Sequence, residues 1–138
     1  MISQIPSLWA FEEDILSRSW VDWLVAHVSL GKPLHRFEGM LTVHDNFIQL
    51  TGKDKRTKQD FYLQIFKYEI EQLYLGFDET FSTSETRGLG LSPLSWLPLR
   101  ISFTKNEEER KLYLIVNYQF GKSDNNEYFE FLKQWVSY

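Results

Sequence analysis

Between residues 36 and 78 the apolar residues come in four short runs, at 37–43, 47–51, 61–66 and 70–77. Within the third run Tyr62, Gln64 and Phe66 fall on one side, and Phe61, Leu63 and Ile65 on the other. That is the two-residue period of a strand. The gaps read as turns. His44-Asp45-Asn46 offers residues that tolerate a left-handed backbone, GKDKRTKQD at 52–60 is a charged loop, and Lys67-Tyr68-Glu69 is a brief corner. Four consecutive antiparallel strands follow from this pattern. The alternation in the fourth run is imperfect, which points to a bulge. Two more strands are expected at 99–104 and 112–118, around a turn at 105–111 that carries Glu107, Glu108 and Glu109.

The period changes at both ends of the chain. Leu8, Phe11, Ile15, Leu16, Trp20, Trp23, Leu24, His27 and Val28 follow steps of mostly three and four, so one or two helices are expected within residues 8–30. Ser7 is a cap residue, the acids Glu12, Glu13 and Asp14 suit the positive end of the helix dipole, and Gly31 with Pro33 marks a stop. Leu24, Ala26, Val28 and Leu30 also alternate, which leaves a strand open over 23–30. A closing helix is expected at about 126–136, with Tyr128, Phe129, Leu132, Trp135 and Val136 on one face. The connection over 78–98 is far longer than the usual ~4–6 residues. Its first half is polar, and its second half, LGLSPLSWLP, is apolar and broken by Gly and Pro.

Composition narrows the classes. The chain of 138 residues has the size of one domain, and 17% aromatics favour a β-rich core. A net charge of −4 argues against nucleic acid, whose phosphates call for a basic face. With no cysteine, disulfides, thiolate chemistry and Cys-ligated metal are excluded. The first residues lack a greasy signal core, and no run approaches the ~18 apolar residues of a membrane span. A cytoplasmic protein is expected.

Candidate chemistry is sparse. His27, His35 and His44 lie on different elements without metal-ligand spacing, and Gly88-Leu89-Gly90 lacks the rest of a phosphate-binding loop. No enzyme activity, metal or cofactor is expected. Two surfaces remain. Lys53, Lys55, Arg56 and Lys58 crowd one hairpin loop. At ~1 kcal/mol each beside an anionic leaflet they would supply roughly 4 kcal/mol, a millimolar contact. The loop has no apolar tip for insertion, and its charges would equally discourage aggregation at a sheet edge. The second surface is the greasy half of the long loop, where Arg87, Leu89, Leu91 and Trp96 offer the Arg and aromatic anchors of protein interfaces. It would otherwise fold down as a lid. Trp20 and Trp23 exceed a narrow helix stripe and are secondary candidates.

The order FEGMLTV, FIQL, FYLQI, IEQL, closed by a helix bearing Trp135, resembles the pleckstrin-homology-like superfold and its GRAM-type members over about residues 36–137. The resemblance implies a mostly β, α+β fold: an antiparallel barrel or half-barrel of six or seven strands with a C-terminal capping helix. Six strands are evident, and the seventh is expected from 20–34 or 79–97. Residues 1–33 would form a helical extension packed on a domain spanning 34–138. The superfold binds lipids, peptides or proteins, so it does not choose a ligand. In its lipid-binding members basic residues on an early hairpin contact the headgroup, which here would be Lys53, Lys55, Arg56 and Lys58. The first expectation is a non-catalytic module that binds a protein partner or its own copy through loop 78–98 and the N-terminal helix. The alternative is an anionic membrane headgroup at the basic loop.

Overall fold

Each apolar run becomes one strand of a single sheet. The computed structural model describes residues 3–16, 35–76, 98–118 and 123–137. The strands are β1 (Ser3–Phe11), β2 (Phe37–Val43), β3 (Phe47–Asp54), β4 (Asp60–Phe66), β5 (Ile70–Leu75), β6 (Leu99–Lys105) and β7 (Glu108–Val116). They pair antiparallel in the order β4-β3-β2-β1-β7-β6-β5 and curl into a half-barrel. A short helix, α1 (Glu12–Leu16), follows β1, and a 3-10 turn, Lys67–Glu69, joins β4 to β5. A helix of three turns, α2 (Asn125–Val136), packs on β5 and β7.

The inner face is almost wholly apolar. Trp9 and Phe11 of β1, Leu41 and Val43 of β2, Ile48 and Leu50 of β3, and Leu112, Leu114 and Val116 of β7 are buried there with Leu132 and Trp135 of α2. Alternation supplies this set, since paired residues such as Trp9 and Leu114 share a face. Two contacts seat the helix. Buried Asn125 accepts from the Val116 amide at 2.7 Å and donates to the Leu114 carbonyl at 2.9 Å. At the other end Trp135 Nε1 donates to the His44 carbonyl at 2.7 Å.

At one pair β2 and β3 leave no room for side chains. Gly39 and Gly52 are paired across β2 and β3. A Cβ on Gly39 would lie 2.1 Å from the Thr51 carbonyl oxygen, and one on Gly52 2.1 Å from that of Glu38. Only glycine lets the two backbones approach this closely.

Several expectations change here. Residues 8–11 are strand, so the expected N-terminal helical extension begins as the central strand of the sheet, and β1 supplies a seventh strand; the stretches 20–34 and 79–97 lie outside the described residues. The physical reason is that β1 lies between β2 and β7 with both faces covered: Trp9 and Phe11 point to one core, Leu8 and Ala10 to a second cluster with Ile15, Tyr113 and Ile115. A strand buried on both sides reads as a continuous apolar run, and LWAF fits a helix stripe equally well. Pro6 is tolerated because the amide it lacks would face Asn117, past the last β1–β7 pair, while its carbonyl still accepts from the Asn117 amide. Among the described residues the helix in this range is α1, with its three acids in the first turn.

The turn expected at 105–111 is much tighter. Asn106 and Glu107 both take left-handed angles, φ 53 and 66, and Glu108 already pairs with Lys105. Asp45 and Asn46, expected to be left-handed, are not, and a His44 amide to Phe47 carbonyl bond closes that hairpin. The 3-10 corner at 67–69, the register shift near Ile70 and the closing helix stand as expected.

Candidate functional site

The residues singled out on the long loop and the N-terminal helix, namely Arg87, Leu89, Leu91, Trp96, Trp20 and Trp23, lie outside the described residues, as does the ambiguous stretch 23–30. The basic turn does not, and its geometry is informative. β3 ends at Asp54, whose carboxylate takes both ends of the turn in hand. Its Oδ2 accepts from Arg36 Nε at 3.0 Å and Nη2 at 2.6 Å, and its Oδ1 accepts from the backbone amides of Arg56 at 2.8 Å and Thr57 at 3.3 Å. Arg36 Nη1 reaches Asp14 Oδ1 at 3.1 Å, and Asp14 Oδ2 accepts from the Phe11 amide at 3.1 Å. The Lys55 amide donates to the Arg36 carbonyl at 2.8 Å. One arginine therefore ties α1, β2 and the β3–β4 turn together. The Arg36 hydrogen bonds hold the Asp54 carboxyl well below the usual carboxylate range, against the opposing cost of burial. Asp54 in turn raises the Arg36 guanidinium.

This changes the reading of the four basic residues. The amides that could have cradled an anion are taken by Asp54. Lys53 Nζ is paired with Asp60 Oδ1 at 2.8 Å, and that pairing lowers the Asp60 carboxyl. Lys55 is half-buried, and its charge acts on buried His35, whose pKa falls from 6.5 to about 3, chiefly through burial and then through Lys55. Arg56 and Lys58 project into solvent, Lys58 from a left-handed position at φ 67. Of the four, these two are the fully presented cations.

A second surface was not anticipated. On the outer face the rings of His44, Phe47, Phe66 and Tyr68 follow one another at centroid separations of 4.3, 5.4 and 5.5 Å. Tyr68 is 83% exposed and Tyr62, on the same side of β4, 60%. Lys105 Nζ lies 5.5 Å from the Phe66 ring and binds Glu69 Oε1 at 3.1 Å, while the other side of that corner is fixed by the Phe66 amide donating to Glu69 Oε1 at 2.9 Å. The signal was present in the alternation. Phe47 and Phe66 occupy outward positions, where a solvated strand would carry polar residues.

A third feature is a polar groove of about 520 Å³ on the outer face of β5, β6 and β7, lined by Glu71, Gln72, Arg100, Ser102, Glu109 and Lys111. Arg100 Nη2 donates to Gln72 Oε1 at 2.7 Å and its guanidinium lies over Tyr74 at 4.9 Å. Thr104 Oγ1 donates to Glu71 at 2.8 Å. Among the described residues no group of three or more His, Asp or Glu is placed to hold a metal ion, and no helix is long and apolar enough to cross a membrane.

No protein-family model matches the chain, and no curated protein matches it in sequence. Among solved structures it is similar to the hSac2 domain from human phosphoinositide phosphatase Sac2. The likeness has a TM-score of 0.50 at 10% identity, and covers 98% of this chain and 68% of that one. It is a likeness of fold. It places no residue of the basic turn or the aromatic row in a function.

Proposed function

We propose that the protein is a non-catalytic binding module of pleckstrin-homology-like architecture, acting in the cytoplasm on a protein partner. The strand order, with β1 pairing both β2 and β7, and the terminal helix plugging the half-barrel with Trp135 support the architecture. The observation that carries the binding reading is the aromatic row on the outer face, ending in Tyr68 and flanked by Tyr62. Large aromatic rings held in fixed positions and left in solvent are what protein interfaces use as anchors. The non-catalytic reading is supported by the shifted titratable groups. Asp54, Arg36 and Asp60 are held by ion pairs that brace the turn, and His35 is kept neutral by burial, so each shift has a structural cause.

A photo-crosslinking amino acid placed at Tyr68 tests this. A discrete adduct in cells that is absent when the same group sits at exposed Glu130 of α2 supports a partner. Equal, diffuse labelling at both positions removes the reading.

Arg56 and Lys58 favour a second reading, an anionic headgroup. The turn that presents them is rigid, and the structural neighbour belongs to a phosphoinositide phosphatase. These two charges supply about 2 kcal/mol at an anionic leaflet, too little for stable binding alone. Co-sedimentation with phosphatidylserine vesicles at low and physiological salt distinguishes the readings. Binding that persists at physiological salt and is lost when Arg56 and Lys58 become Gln would put the headgroup first.

A further inference from the structure

Among the described residues β4 and β5 are the outer strands of the sheet, and although consecutive in sequence they are not hydrogen-bonded to each other. The direction in which the β4 backbone points follows from two bonds at its ends. Lys67 donates to the Asn46 carbonyl, and Asp54 donates to the Gln59 carbonyl. Both continue the β3–β4 register, so Ile65, Leu63 and Phe61 are the residues bonded to β3. The amides and carbonyls of Asp60, Tyr62, Gln64 and Phe66 therefore point away from the sheet. Glu69 satisfies the Phe66 amide. No bond to the outward amides of Tyr62 and Gln64 is seen among the described residues.

An open edge is usually blunted by lysine, proline or a bulge. β4 has none of these, and the one charge among its outward positions, Asp60, is paired with Lys53. Its inner row supplies apolar contact instead. Phe61 and Leu63 are only partly buried against the core, whereas the inner residues of β1, β6 and β7 nearest the centre are fully buried. At the end of the edge where β4 begins, Arg56 and Lys58 reach into solvent.

We propose that the β4 edge receives an extended segment of a partner protein, added antiparallel to β4 as an eighth strand, with acidic residues toward its carboxyl end. The backbone donors and acceptors require an extended chain. The half-buried Phe61 and Leu63 call for apolar side chains at alternate positions, and Tyr62 provides a cross-strand aromatic contact on the other face. An antiparallel segment brings its carboxyl end to Arg56 and Lys58, which sets the position of the acids. This proposal rests on the protein-binding reading above.

The test is a displayed peptide pool randomised as alternating apolar and polar residues, in two versions carrying Asp-Glu at the carboxyl or at the amino end, selected on the full chain. The carboxyl-acid pool is expected to be enriched. Gln64→Pro removes an outward amide without touching the β3 ladder, and should weaken a selected peptide about tenfold, while Gln64→Thr, which keeps the amide, should not. Bound peptide should also slow hydrogen exchange at the Tyr62 and Gln64 amides in the unaltered chain, a readout that holds even if the proline variant fails to fold. Three results overturn the proposal: no enrichment in either pool, peptide binding without protection of those amides, or protection that appears without peptide alongside a dimer in sedimentation, which would assign the edge to a second copy. Crosslinking at Tyr68 that persists in Gln64→Pro would sink the edge assignment while leaving the protein-binding reading intact.

Discussion

The two outer strands of this sheet are managed in opposite ways. β5 carries a register shift near Ile70, a charged Glu71 and a helix packed beside it. β4 is regular over seven residues, its one charge, Asp60, is paired with Lys53, and its starting end is clamped by Arg36 and Asp54. Among the described residues one outer strand is irregular and packed against α2, and the other is straight with unpaired outward amides. A bulge and a docked helix make poor templates for another strand, whereas a straight, anchored strand is a good one. Rigidity at β4 thus reads as preorganisation of a surface, and irregularity at β5 as protection of one.

Substitutions can break this contrast, in descending order of effect. Trp135→Ala removes the ring that seats α2 and the bond to His44, and should cost about 3 kcal/mol in chemical denaturation. Amide exchange in β5 should then rise toward that of β4, abolishing the difference. Gly52→Ala places a methyl against the Glu38 carbonyl, and should cost about 2 kcal/mol by forcing β2 and β3 apart. Here β4 should loosen while β5 does not.

Acid should act selectively on the clamped end. The Asp54 carboxyl is depressed in the folded chain, so its stabilising effect is complete above the ordinary value near 4 and is lost as pH falls below it. Asp54→Asn should lower stability at neutral pH by about 2 kcal/mol and flatten the loss below pH ~4. His35 shifts in the same direction from a different starting point. Its pKa drops from 6.5 to about 3 on folding, so the unfolded chain takes up the proton first. Stability is full above 6.5 and falls as pH drops from 6.5 toward 3, by up to about 1.4 kcal/mol per pH unit. Denaturation of His35→Gln across pH 7 to 4 should lack that slope. The smallest effect is expected from Lys53→Gln. Its pair with Asp60 is solvent-exposed, so the denaturation midpoint should stay where it is.

How far the sequence reaches depends on whether a residue's partner is near or far. The β2 boundaries, the 3-10 corner and the closing helix rest on local alternation and spacing, and were legible. β1 was misread because Leu8, Trp9, Ala10 and Phe11 are all buried, and a strand covered on both faces loses the alternation that identifies it. The basic turn was visible as a cluster, but its self-satisfaction was not. Asp54 is answered by Arg36 and Arg36 by Asp14, groups that come together only when β1 and β3 lie on either side of β2. The aromatic row was not legible because His44, Phe47, Phe66 and Tyr68 line up only when β3 and β4 pair in the observed register.

The position of β1 also bears on how the chain is made. Ser7 pairs with both Gly39 and Val116, so the strand at the middle of the sheet waits for a partner synthesised roughly a hundred residues later. At ribosomal rates that interval is about 5–20 s. Throughout it the Trp9 and Phe11 side of β1 has only half its neighbours, and the Leu8 and Ala10 side lacks Tyr113 and Ile115. Closure of the half-barrel is thus timed by the arrival of β7 and not by the synthesis of its central strand.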